Sequence, residues 1–125
     1  MIGEYDLVLS GPISDARNYR AAFAVAANWA RQRWPERRIW NPALLPPDRD
    51  YRWYMRICCE VLLEAPQKTV VVMLPMWELS PGAVAERALA RALGFNVVEM
   101  RENAPAHQRR EAAYGDAAGS QEDRP

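Results

Sequence analysis

One histidine, His107, and two cysteines, Cys58 and Cys59, are all that this 125-residue chain holds of the side chains that most often build zinc sites and disulfide frameworks. No spacing among them resembles a zinc site. Adjacent cysteines in a regular helix point away from each other, so they found no disulfide framework and a reducing compartment is expected. A Ser-His-Asp arrangement would need His107 to reach a pocket from a polar segment near the end of the chain. An excess of one charge is missing as well: sixteen basic residues balance sixteen acidic ones. That balance removes the electrostatic footprint of a protein that tracks phosphates along a nucleic acid. No run approaches the ~20 apolar residues that span a bilayer, and "MIGEYDLVLSG" has no basic leader. A cytoplasmic protein is expected, with a small-molecule ligand and neither nucleic acid nor membrane as partner. Gly11 stands outside any G-x-G-x-x-G pattern, which argues against a dinucleotide redox enzyme. Neither a metal nor another cofactor is expected.

What the chain does have is apolar material: half of its residues, enough for one core in one domain. "YDLVLSG" is a short β-rich run stopped at Ser10-Gly11-Pro12, and reads as a buried strand. Ser14 and Asp15 are candidate caps for a helix from about Asn18 to Arg33, which Pro35 ends. "RRIWNP" is a shorter strand, followed by the proline-rich surface loop "NPALLPPDRD". A second helix, roughly Tyr51 to Glu64, puts Tyr54, Ile57, Cys58, Val61, Leu62 and Ala65 on one face. "KTVVVMLP" is the clearest strand, its continuous β-branched run suiting burial on both sides. A third helix fills "SPGAVAERALARALG", with Gly94 as its stop, and "FNVVEM" is a last strand. Residues 1–100 read as the domain; residues 101–125 read as a polar tail, partly disordered or with a short helix from Pro105. The alternation predicts an α/β fold with a parallel sheet covered by helices on both faces.

In such a sheet a ligand sits beyond the carboxyl ends of the strands, where "SGPISD", "WNPALLPPDRDYRW" and "PMWELSPG" meet. Ser80 can cap the third helix, Pro81 suits its first position, and Gly82 bares the backbone where free N–H groups favour an anion. The same turn also starts many helices that bind nothing. At 100° per residue, Ala85, Ala88, Leu89, Ala92 and Leu93 form the expected buried stripe, and Glu86 falls on its edge beside Gly82. Its neighbours three and four positions on, Leu89 and Ala90, offer no cation for a surface pair. Glu86 therefore reads either as a nucleophile or general base at a pocket rim, or as a helix-favouring residue on a solvated edge. Tyr51, Trp53 and Tyr54, with Trp40 and Trp77, can stack on a base or simply fill the core. "RQRWPERR" reads as a solvated helix end. Five tryptophans and five tyrosines are many for so small a domain to bury alone, which points to a homo-oligomer.

Taken in order, "LVLSGPISDARNYRAAFAVAANWAR", "IWNPALL", "YRWYMRICCEVLL" and "VVVMLPMWELSPGAVAERALARALGFNVVEM" resemble the small phage and bacterial DUF4406 proteins of the nucleoside 2-deoxyribosyltransferase-like superfamily. The most specific piece is W-E-x-S-x-G-A-x-x-E between a strand and a helix. The resemblance implies a flavodoxin-like three-layer sandwich with a four- or five-stranded parallel sheet. It implies N-glycosidic bond cleavage or transfer on a nucleoside or nucleoside 5′-monophosphate, with Glu86 as the nucleophile attacking the anomeric carbon. It further implies that Ser80 and Gly82 hold the sugar or its phosphate, that Ser10, Gly11 and Pro12 line the pocket, that Asn41 and Trp77 contribute to substrate binding, and that pockets are shared in a homo-oligomer. Relatives carry aspartates where this chain has Cys58 and Pro66, with Asp48 and Asp50 in the loop as possible replacements. A non-catalytic nucleotide-binding module is the competing reading, and cleavage of a nicotinamide dinucleotide a third.

Overall fold

The computed structural model describes residues 4–13 and 18–100. Four strands form one parallel sheet: β1 (Leu7–Ser10), β2 (Ile39–Trp40), β3 (Val70–Met73) and β4 (Asn96–Glu99), in the order β2-β1-β3-β4. Leu7 to Ser10 pair in register with Val70 to Met73, and the same β3 residues pair with Asn96 to Glu99. β1 and β3 are buried along their whole length because helices cover both faces, which is why they read as unbroken apolar runs. This is a flavodoxin-like arrangement, and its strand order reverses direction between β1 and β3.

Helix α1 (Tyr19–Arg33) packs Phe23, Ala26, Ala27 and Ala30 against Leu7, Leu9, Val70 and Val72. Helices α2 (Tyr51–Glu64) and α3 (Pro81–Ala92) cover the other face, where Val61, Leu62, Ala83 and Ala90 meet Val8, Val71 and Met73. Alternate residues of one strand thus feed two cores, as the two-residue period of a strand requires. Asn18 starts α1 in the left-handed region without a side-chain cap bond, and the expected caps Ser14 and Asp15 lie outside the described residues. The anticipated tail, 101–125, also lies outside them.

The helix ends follow from local chemistry. Asp50 accepts the Trp53 N–H at 2.8 Å to start α2, and Ser80 accepts the Ala83 N–H at 3.2 Å to start α3. Gly94, at φ 84°, ends α3: its N–H reaches Arg91 O at 3.0 Å and the Phe95 N–H reaches Ala90 O at 3.0 Å. This paired bonding satisfies the last carbonyls and needs a left-handed residue that glycine supplies without strain.

Two expectations are corrected. Arg37 and Arg38 are more than a solvated helix end: Arg37 Nη1 donates to Lys68 O at 2.7 Å and Asp6 O at 3.1 Å, and the Arg38 N–H donates to Asp6 Oδ1 at 2.7 Å. They tie together the starts of β1, β2 and β3. The fully buried stripe of α3 is Gly82, Ala83, Glu86 and Ala90; of the expected stripe, Leu89 and Leu93 are half-buried against the second core, while Ala85, Ala88 and Ala92 are exposed. The helix is rotated by about 100°, one residue, from the expected orientation. Glu86 therefore lies in the middle of the buried face and not at its edge.

Candidate functional site

At the carboxyl ends of β1 and β3, where the strand order reverses, the chain places a charged side chain in the core. Glu86 is only 8% exposed. Its Oε1 accepts the hydroxyl of Ser10, the last residue of β1, at 2.5 Å. Cys58 on α2 stands within hydrogen-bonding reach of the same carboxyl. Burial raises the Glu86 pKa, and the Ser10 and Cys58 hydrogen bonds pull it back down without cancelling that effect. Burial also pushes the Cys58 thiol up, and the neighbouring Glu86 charge adds to the shift. Cys58 is thus a protonated donor to Glu86 and not an activated nucleophile.

Beside Glu86 lies a cavity of about 30 Å³, lined by Gly11, Ile13, Tyr51, Tyr54, Met55, Cys58, Ser80, Gly82, Ala83 and Glu86. β1 and its turn supply one wall, the first two turns of α2 a second, and the start of α3 the floor. Gly11 is required here because a Cβ would come within 2.8 Å of Leu74 Cβ. Gly82 lets Tyr51 Oη and Met55 Sδ approach to 3.2 Å and 3.1 Å of where its own Cβ would stand.

Of the residues expected from the sequence, Gly11, Ser80, Gly82 and Glu86 share this cavity, and Ser10 joins them through its hydrogen bond. Pro12 is half-buried between two lining residues, Gly11 and Ile13, but is not itself one of them. Asn41 is used elsewhere: its side chain accepts the Ala43 N–H at 2.9 Å and caps the short 3-10 turn Pro42–Leu44. Trp77 packs beside the second core with the Arg87 guanidinium 4.8 Å from its ring centre, and does not line the cavity. Tyr51 and Tyr54 were visible as candidates from their aromatic cluster and Cys58 through the resemblance, but Met55 was not, since one methionine in an apolar helix carries no signal for a pocket wall.

Cys58 and Pro66, the two positions at which the resemblance implies aspartate, separate in space. Cys58 touches Glu86, whereas Pro66 precedes β3 at the opposite end of the sheet, where its carbonyl accepts the Thr69 hydroxyl at 2.6 Å. Asp48 and Asp50 do not replace either: they line a separate surface groove of about 480 Å³ with Arg49, Arg52, Trp53 and Arg56. Among the described residues, no three His, Cys, Asp or Glu side chains converge as metal ligands.

The whole unit from β1 to β4, residues 5–99, matches the family model described as a domain of unknown function, DUF4406. The chain belongs to the DUF4406 family. No curated protein and no solved structure matches it. The DUF4406 domain therefore takes in both cores and every cavity-lining residue. Among the described residues, no helix is long and apolar enough to cross a membrane.

The tryptophans of this DUF4406 chain find partners within it. Trp40 is buried, Trp34 packs edge-on to Trp29 at 5.9 Å, and Arg33, Arg49 and Arg87 lie over Trp29, Trp53 and Trp77.

Proposed function

We propose that this DUF4406 protein cleaves or transfers the N-glycosidic bond of a nucleoside or nucleoside 5′-monophosphate, with Glu86 as the nucleophile. The observation that carries the reading is a carboxyl, the one buried among the described residues, held by Ser10 and Cys58 and facing a cavity at the switch point of a parallel sheet. In the proposed reaction a Glu86 oxygen bonds to the anomeric carbon as the C–N bond breaks, and the base leaves with that electron pair and takes up a proton. Water or a second base then attacks the same carbon and releases Glu86. An oxocarbenium-like carbon favours a carboxylate within reach, as in retaining glycoside hydrolysis. The hydroxyl of Ser10 and the thiol of Cys58 support the ionised form of Glu86 against the burial that opposes it.

The reading includes Ser80 and Gly82 at the sugar or its phosphate, membership of the nucleoside 2-deoxyribosyltransferase-like superfamily, a cytoplasmic setting and a homo-oligomer. Exposed Met76, Leu79 and Val84 near the start of α3 offer apolar surface for such an assembly. One observation favours a second reading, a nucleotide-binding module without catalysis: among the described residues, Glu86 is the only carboxylate lining the cavity.

Base release from a panel of deoxyribonucleosides, ribonucleosides and their 5′-monophosphates separates the two. Release by the native protein and none by Glu86→Gln, with ligand binding kept within about tenfold, is the expected result. Ligand-induced melting shifts with no released base would favour the binding module, and turnover by Glu86→Gln equal to the native rate would remove Glu86 from the chemistry.

A further inference from the structure

The Glu86 cavity, about 30 Å³, has room for a few waters at most, given the ~10–15 Å³ that each needs. Pockets that enclose a small molecule span roughly 300–1,000 Å³. A nucleoside-sized ligand can reach Glu86 only if a wall moves, and the walls differ in what holds them. Ser10, Cys58, Gly82, Ala83 and Glu86 are buried in the sheet and the α2–α3 contact. Tyr54 is half-buried and its hydroxyl donates to Pro46 O at 2.5 Å, which ties it to the proline-rich loop. Tyr51 is different. It is the first residue of α2 and 49% exposed, and its hydroxyl has no hydrogen-bond partner among the described residues. Its ring lies against Gly82 at the start of α3, and the side chain borders solvent. Met55, one turn along, has an unbranched side chain that adapts to whatever Tyr51 does.

We propose that Tyr51 is the movable wall of the Glu86 pocket: its ring closes over Gly82 when the pocket is empty and swings into solvent to admit a flat, nucleoside-sized ligand. The ligand's size rests on the functional reading above; the movement of the wall does not. Tyr51 then governs access to everything buried in the pocket, including the Cys58 thiol.

That thiol is a built-in reporter. In a Cys59→Ser background, labelling of native protein by an organomercurial, p-hydroxymercuribenzoate, is followed by intact mass. The expected result is slow labelling with Tyr51, about the same rate with Tyr51→Phe, at least about tenfold faster labelling with Tyr51→Ala, and slower labelling with the bulkier Tyr51→Trp. Equal rates across Tyr51, Tyr51→Ala and Tyr51→Trp overturn the proposal. Should Tyr51→Ala loosen the fold, as a melting curve would reveal, the Tyr51→Trp rate decides alone: slowing supports the wall, and an unchanged rate removes it. Base release is assayed on the same proteins. An inactive protein whose labelling follows residue 51 retains the wall and loses the glycosidic reading; an active one whose labelling ignores residue 51 does the reverse.

Discussion

Ser10 Oγ donates to Glu86 Oε1 at 2.5 Å, joining residues 76 positions apart and fixing the end of β1 to the second turn of α3. Both partners are buried, Ser10 at 1% exposure. A buried acceptor that loses its donor keeps its full desolvation penalty, so Ser10→Ala is expected to cost about 1–3 kcal/mol. The same change removes a bond that lowers the Glu86 pKa, which should rise further. Urea unfolding at neutral pH measures the first effect. A loss below about 0.5 kcal/mol, the scale of an ordinary surface substitution, would show that the bond contributes little.

The raised pKa of Glu86 gives stability and activity opposite signs with pH. The folded state holds the Glu86 proton at a pH where the unfolded chain, with an ordinary carboxyl, has already released it. Folding stability from this group is therefore greatest in acid and falls as pH rises from the ordinary glutamate range through the raised folded-state value. Attack on an anomeric carbon needs the ionised form, so base release should climb through the same window. Glu86→Gln should flatten that part of the stability profile and melt higher than the native protein at neutral pH. Identical pH–stability curves for the two proteins would mean that Glu86 titrates normally.

Gly11 and Gly82 both flank the cavity but should respond differently to a methyl group. At Gly11 the new Cβ meets Leu74 Cβ at 2.8 Å, close to the backbone that β3 anchors, so strand or turn must shift. Gly11→Ala is expected to lose about 1–3 kcal/mol, the usual penalty of overpacking. At Gly82 the nearest atoms are the far ends of Met55 and Tyr51, which can rotate away, and alanine favours the helix by up to about 1 kcal/mol. Gly82→Ala should leave the melting temperature within a few degrees of native. Equal destabilisation by both would show that Tyr51 and Met55 are as rigid as Leu74.

These sites also show what the sequence could and could not disclose. The bounds of α2, the β-branched run of β3 and the Gly94 stop were legible because each rests on local chemistry: a cap, a period, a left-handed residue. The buried face of α3 was not. Its alanines at 83, 85, 88, 90 and 92 carry no polarity to mark inside from outside, so the periodicity placed a charged residue, Glu86, at the rim. What buries Glu86 is tertiary: a hydroxyl on β1 and a thiol on α2, neither signalled by spacing along α3. Asn41 caps its own turn, a role that in sequence looks the same as a side chain offered to a ligand.

The sharpest division between enzyme and binding module lies at Cys58. Its side chain is 5% exposed, belongs to the α2–α3 core and touches Glu86 at the cavity. Cys58→Asp nearly preserves volume and puts a second carboxyl against the first. Two carboxyls in contact in a buried site cannot both ionise cheaply, so the pair should share one proton up to a pH well above the ordinary carboxylate range. The variant should therefore be close to native stability in acid and several kcal/mol weaker once both groups are forced to ionise. At intermediate pH the shared proton is available to a departing base. If the DUF4406 chain is an enzyme short of a proton donor, Cys58→Asp should release base faster than the native protein in that window. If it is a binding module, the variant should fold, bind and release nothing. Melting and base release measured across pH on one preparation decide between them. A variant unstable even in acid would show that the core around Val61 and Leu62, and not the cavity, dictates what residue 58 can be.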